Sequence, residues 1–283
     1  MQHVVFILLF FGTTTLCFAS ENDNTLIIFS SSSGHEQTGP EPIVFDYLKS
    51  NLTAYKIKQV HAGLERSQQL LANLSEGCVR NLVKNPAREQ FFDFSLPETL
   101  FLGVKAYLSP RAATLLADTK ADTIELVNFA KQHKLVVGID KERSYGFEID
   151  AELAKLPAVN KYVKEGIESE DRMARMLFSN RVDLLLEYQT VMDIFQSTYL
   201  TDIELQSYYV SGAQRYVYSH LACKKTQNSS KLIGEVNQLL RNLYKEPVYY
   251  QSHVQFISAN LHDNFNKMFT EFLSEYATTE MHP

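Results

Sequence analysis

The chain of 283 residues has no tryptophan and only three cysteines, and several larger features are missing as well. It has no tract of biased composition and no repeat with a period of 20–50 residues, which excludes disordered segments and solenoids. No Lys/Arg-rich run occurs, and 27 basic residues against 33 acidic ones leave a net charge of −6. A nucleic-acid surface needs a concentrated basic face, so that class drops out. There is no Gly-x-Ser-x-Gly elbow, no phosphate-binding Walker loop and no zinc-spaced histidine cluster. Hydrolase, nucleotide and metalloenzyme readings lose their support, and no cofactor or metal is expected. Beyond the N-terminus no segment reaches 18 uncharged apolar residues, so the mature chain is expected to be soluble.

What is present starts with "MQHVVFILLFFGTTTLCFASENDN". Val4 to Phe11 form a solid apolar run too short to span a bilayer, and Cys17 and Ala19 fit the −3 and −1 positions of a secretory cleavage site. The expectation is a signal peptide over 1–19 and a periplasmic mature chain. A lipidated Cys17 is not expected, because Leu16 stands where that modification needs a small residue. Two cysteines then remain, Cys78 and Cys223. In an oxidising compartment they are a disulfide candidate closing a loop of about 145 residues, worth roughly 4–5 kcal/mol. Two separately buried thiols are the alternative.

Along the mature chain, "TLIIFSSSSG" (25–34), "YKIKQVHA" (55–62) and "CVRNLV" (78–83) pattern as strands, with helices over 42–52 and 64–77. This β-α-β-α-β order predicts a mostly parallel sheet covered by helices. A long β-run from 99 to 110 leads to a second unit: helix 122–133, strand 134–140, helix 145–156, strand 162–167, helix 169–182 and strand 183–188. After 206 come two β-runs, an amphipathic helix over 229–244 and further helical segments. The pattern predicts two α/β lobes joined by two crossing strands, the first built from 20–106 and 206–283, the second from 107–205. Ligands of such folds sit at the carboxyl ends of strands and in the cleft between lobes.

The segment "NPAREQFFDFSLP" (85–97), with the secreted N-terminus, "FSNRVDLLLEY" and "GEVNQLLRNLY", resembles the type 2 periplasmic solute-binding proteins, specifically the family 3 group associated with amino-acid uptake. The resemblance implies a two-lobed α/β fold, with two mixed sheets joined by a hinge. It also implies that Arg88 clamps a ligand carboxylate, for which a planar guanidinium fork is well suited; the alternative is a local cap or a pair with Asp93. Arg80 and Asn81 fall where the family has small hydroxyl residues lining the cleft, and the arginine there departs from the pattern toward a more acidic ligand or a filled pocket. On the second lobe, past Asp183 at the start of its strand, Glu187 lies one position from the family's ammonium-binding acid. A shift of one residue reverses a strand's faces, so Tyr188 is the alternative. The turn "DKERSYG" offers Arg143, Ser144 and Tyr145 where the family holds carboxylate oxygens on backbone N–H groups. In the loop "SSSSGHEQTGPEP", Ser32, Ser33 and His35 are candidates for the cleft or ordinary surface.

The function implied is a monomeric protein that closes on a small carboxylate-bearing, amino-acid-like ligand and serves an ABC transporter permease or a membrane sensor. A degenerate module working through a protein partner is the alternative. An enzyme that dehydrates cyclohexadienyl substrates is a third reading, and it would need His35 or Glu187 as its acid or base.

Overall fold

The computed structural model describes residues 24–30, 40–166, 169–199 and 205–277, so the expected signal peptide and the loop holding Ser32, Ser33 and His35 lie outside the described residues. The first unit runs β1 (Thr25–Ser30), α1 (Glu41–Asn51), β2 (Lys56–His61), α2 (Leu64–Ala72) and β3 (Cys78–Val83), followed by a 3-10 turn at Arg88–Gln90. A long strand, β4 (Phe92–Leu102), crosses to the second unit, starting earlier than the sequence pattern suggests. That unit runs β5 (Val104–Leu108), α3 (Pro110–Leu115), β6 (Thr123–Ile124), α4 (Leu126–Gln132), β7 (Val137–Asp140), α5 (Phe147–Ala154), β8 (Lys161–Lys164), α6 (Ser169–Phe178), β9 (Leu184–Tyr188), α7 (Gln189–Tyr199) and β10 (Ser207–Val210). The chain then returns through β11 (Tyr216–Lys224) to α8 (Ser229–Leu243), α9 (Pro247–Val254) and α10 (His262–Tyr276).

Two mixed sheets result, in the orders β2-β1-β3-β11-β4 and β6-β10-β5-β9-β7-β8. In the first, β1 is parallel to β2 and β3, whereas β11 runs antiparallel to β3 and β4. In the second, β7 is parallel to β8 and β9, and β5 is antiparallel to β9 and β10. Because β10 belongs to the second sheet, the return crossing falls between Val210 and Tyr216, a few residues after the expected division at 205/206. Burial accounts for the pairing of elements. In α8, Leu232, Val236, Leu240 and Leu243 form one stripe and pack with Leu26, Ile28, Phe265 and Phe272 on one face of the first sheet. All five residues of β9 are buried, as expected for a central strand with helices on both faces.

Cys78 and Cys223 face each other on β3 and β11 and are joined by a disulfide. At the hinge the two crossings touch: the Gly103 N–H donates to the Arg215 carbonyl at 2.8 Å, and a β-carbon on Gly103 would lie 2.0 Å from the Gln214 carbonyl oxygen. Only glycine permits that approach. Among the described residues no helix is long and apolar enough to cross a membrane.

Two buried histidines contact β4: His253 from α9 in the tail, and His220 from the neighbouring strand β11, whose Nδ1 lies 2.8 Å from the Ser95 carbonyl. His253 Nδ1 lies 2.7 Å from the Tyr249 carbonyl while Nε2 accepts from the Leu100 N–H at 3.3 Å, an arrangement that requires the neutral ring. Burial lowers His253 and His220 from the usual 6.5 to about 4. Between these values the unfolded chain binds protons that the folded chain refuses, so stability falls as pH drops from 6.5 toward 4. Urea midpoints measured at pH 7, 6 and 5 are expected to decline, and a His253→Phe variant should lose part of that slope. Identical slopes would contradict the assignment.

Candidate functional site

The loops at the carboxyl ends of β3 and β7 meet where the two lobes face each other. After β3, Asn85 accepts the Arg88 N–H on Oδ1 at 2.9 Å and so forms the turn that aims the arginine inward. The Arg88 guanidinium, 9% exposed, donates through Nη1 to the Val83 carbonyl and through Nη2 to the Glu142 carbonyl of the second lobe, both at 2.7 Å. No carboxylate lies within ion-pair distance of it among the described residues. Asp93, the alternative partner, accepts from the Ser229 hydroxyl instead. Burial lowers the Arg88 pKa, against the pull of Asp150, Tyr188, Asp140 and Glu142.

On the second lobe the β7–α5 turn is held by its own carboxylates. Asp140 Oδ1 accepts the Glu142 N–H at 3.0 Å. Asp150, in the first turn of α5, takes the Tyr145 N–H at 2.8 Å and the Ser144 hydroxyl at 2.5 Å. Ser144 in turn accepts from Asn85 Nδ2 at 3.2 Å, and the Glu142 carboxylate accepts the Leu64 N–H at the start of α2. With Lys141 at 3.4 Å from Glu65, four contacts therefore run from this turn to the first lobe.

Arg143 lies within this turn and pairs with Glu187 at the end of β9, Nη1 to Oε2 at 2.7 Å and Nη2 to Oε1 at 2.5 Å. Glu187 also accepts the Tyr188 N–H at 2.7 Å. Three N–H donors leave no acceptor for a carboxyl proton, so the geometry is that of a charged pair. Burial raises the Glu187 carboxyl against the pull of Arg143. Burial alone would lower Arg143, but Glu187 and Glu170 hold it well above its ordinary value. Successive residues of a strand point to opposite faces, yet Arg143 reaches both Glu187 and the Tyr188 ring, 4.9 Å from its guanidinium carbon, because it sits beyond the strand's end. It also lies 5.2 Å from the Tyr145 ring. Tyr188 stacks on Phe101 of β4 at 5.0 Å, and burial raises its hydroxyl to about 12.

Arg88, Arg143, Ser144, Tyr145, Glu187 and Tyr188 thus come together. Arg80 does not join them: 4% exposed, it donates to the Glu41 carbonyl at 2.8 Å and stacks over Phe45 at 4.0 Å, inside the first lobe. Asn81 is exposed with φ +58°, at a bulge where Arg80 and Asn81 oppose Leu221 alone. Asp183 clamps the base of β9, accepting from Val136 N at 2.9 Å and pairing with Arg111 at 2.5 Å. Sequence reasoning missed Glu142 and Asp150. Their signal is the density of acids around a glycine-ended turn, which marks the turn without identifying its contacts. A separate cavity of about 470 Å³ lies at the hinge beside α10, lined in part by Lys105, Gln214, Arg215 and Lys267, and none of the Arg88 cluster lines it.

No protein-family model and no curated protein matches the chain. Solved structures do. It is similar to an ancestral arginine-binding protein bound to arginine, with 13% identity over 83% of this chain and 99% of that one and a TM-score of 0.61. A putative L-cystine ABC transporter protein from Listeria monocytogenes matches at 15% identity, 83% and 96% coverage and a TM-score of 0.59. An ancestral amino-acid-binding protein, described as a precursor of cyclohexadienyl dehydratase, matches at 14% identity, 83% and 96% coverage and 0.55. These likenesses show the two-lobed periplasmic-binding-protein fold.

Asp150 holds the turn through two hydrogen bonds to a charged group, each worth roughly 1.5–3 kcal/mol. An Asp150→Ala variant should lower the unfolding free energy by about 3–6 kcal/mol in urea denaturation. A variant as stable as wild type would show that the turn is held by other contacts.

Proposed function

We propose that this chain is an exported solute-binding protein that captures a small carboxylate-bearing ligand between its lobes by hinge closure. It would then serve an ABC-type importer or a membrane sensor. The observation that carries this reading is Arg88: a nine-tenths-buried guanidinium at the lobe junction whose hydrogen bonds, among the described residues, go to carbonyl oxygens. A buried charge without a counter-ion is costly, and a carboxylate presented between the lobes would supply one. The second lobe's Glu142 carbonyl is already on Nη2, so ligand capture and lobe contact share one side chain, as hinge closure requires.

Amino-acid binding by the neighbours, as their descriptions state it, supports a solute-binding role. The apolar N-terminus with its cleavage pattern and the Cys78–Cys223 disulfide support export to an oxidising compartment. Of the two acid–base candidates an enzyme would use, Glu187 is ion-paired to Arg143, which supports binding over catalysis; His35 lies outside the described residues. One observation favours the reading of a module that acts through a protein partner: the second-lobe groups Arg143 and Glu187 hold each other.

Thermal shift over a panel of small carboxylates discriminates. A binding protein gains about 2.7 kcal/mol at a ligand concentration 100 times Kd, and its melting temperature rises. Arg88→Ala should weaken the response at least tenfold in apparent affinity, since hydrogen bonds to charged groups are worth roughly 1.5–3 kcal/mol. An equal shift in the variant would remove Arg88 from the site.

A further inference from the structure

Building on the solute-binding reading above, we infer that the cleft takes an ammonium-free carboxylate, a dicarboxylate or a 2-oxo acid, in preference to an amino acid. A zwitterionic ligand needs an anion for its ammonium as well as a cation for its carboxylate. Here the buried acid of the second lobe, Glu187, is already engaged. Glu187, 1% exposed, has both oxygens on Arg143 and a third donor in the Tyr188 N–H. Glu170 lies 3.4 Å from Arg143. Asp150 is taken up by Ser144 and Tyr145, and Glu142 by the Leu64 N–H. An ammonium placed at Glu187 would have to displace one of these donors inside a buried site.

The cationic side is the reverse. Arg88 has no carboxylate partner among the described residues, and its two terminal nitrogens rest on carbonyl dipoles. Within its electrostatic reach the Tyr188 hydroxyl is buried beside the Arg143 guanidinium and, among the described residues, has no hydrogen-bond acceptor or donor at normal distance. An ionised carboxylate accepts from both groups, whereas an ammonium accepts from neither. Arg143 thus determines specificity by neutralising the acid that would otherwise read an amino group.

Matched pairs that differ only at the α-carbon test this: 2-oxoglutarate against L-glutamate and pyruvate against L-alanine, with glutarate as a further ammonium-free acid, by calorimetry and melting temperature. The ammonium-free member is expected to bind at least tenfold more tightly. Arg143→Ala frees Glu187 and should erase or reverse that preference, and adding Glu187→Gln to that variant removes the freed acid and should abolish the amino-acid binding it gained. Circular dichroism establishes that each variant is folded. Amino acids binding wild type as tightly as their oxo partners would overturn the inference and leave the solute-binding reading intact. Folded wild type that binds none of the compounds would overturn the solute-binding reading itself, and the inference with it.

Discussion

The buried Arg143–Glu187 pair sets the geometry on which the site depends. It ties the β7–α5 turn to the end of β9, and that turn presents the Glu142 carbonyl to Arg88 and Ser144 to Asn85. Two charges removed from water are stable only when each satisfies the other, and here the bidentate contact, the Tyr188 N–H and two aromatic rings do so. The pair therefore has a structural consequence and a chemical one. It joins the turn, already held by Asp140 and Asp150, to the end of β9, and it occupies both oxygens of the Glu187 carboxylate.

Closure of the lobes rests on a second constraint, at the hinge. The Leu102–Val104 crossing passes so close to Gln214 and Arg215 that Gly103 has no room for a side chain. The two connections are therefore held against each other where the lobes join. The disulfide between β3 and β11 stiffens the sheet that carries Arg88, so the guanidinium is aimed by a rigid first lobe.

Much of the fold is legible in the sequence because burial writes period and length directly. The β-α-β-α-β opening, the stripe of α8 and the continuous apolar β9 all follow from apolar spacing. α7 is not legible, since "QTVMDIFQSTY" follows β9 with no turn residue to separate them. β4 begins at Phe92, within "FFDFSLP", because its Pro97 sits inside a strand that pairs irregularly with β11. In the site, the Asn-Pro-Ala-Arg turn is visible as local chemistry. That Arg80 would turn back onto Phe45 is not, because it depends on the bulge at Asn81 and on the position of α1. Nor could spacing show that Arg143 would reach Glu187, 44 residues away. Contacts of that kind belong to the tertiary arrangement, where charges find partners that no local pattern marks.

The measurement that bears most directly on the account is a double-mutant cycle on unfolding free energy with Arg143→Leu, Glu187→Leu and both together. Each single substitution leaves one buried charge unpaired and should cost about 3–5 kcal/mol, whereas the apolar double variant should lose far less than the sum. Strictly additive losses would contradict the account, because they would mean that the two side chains do not hold each other and that Glu187 is available to a ligand.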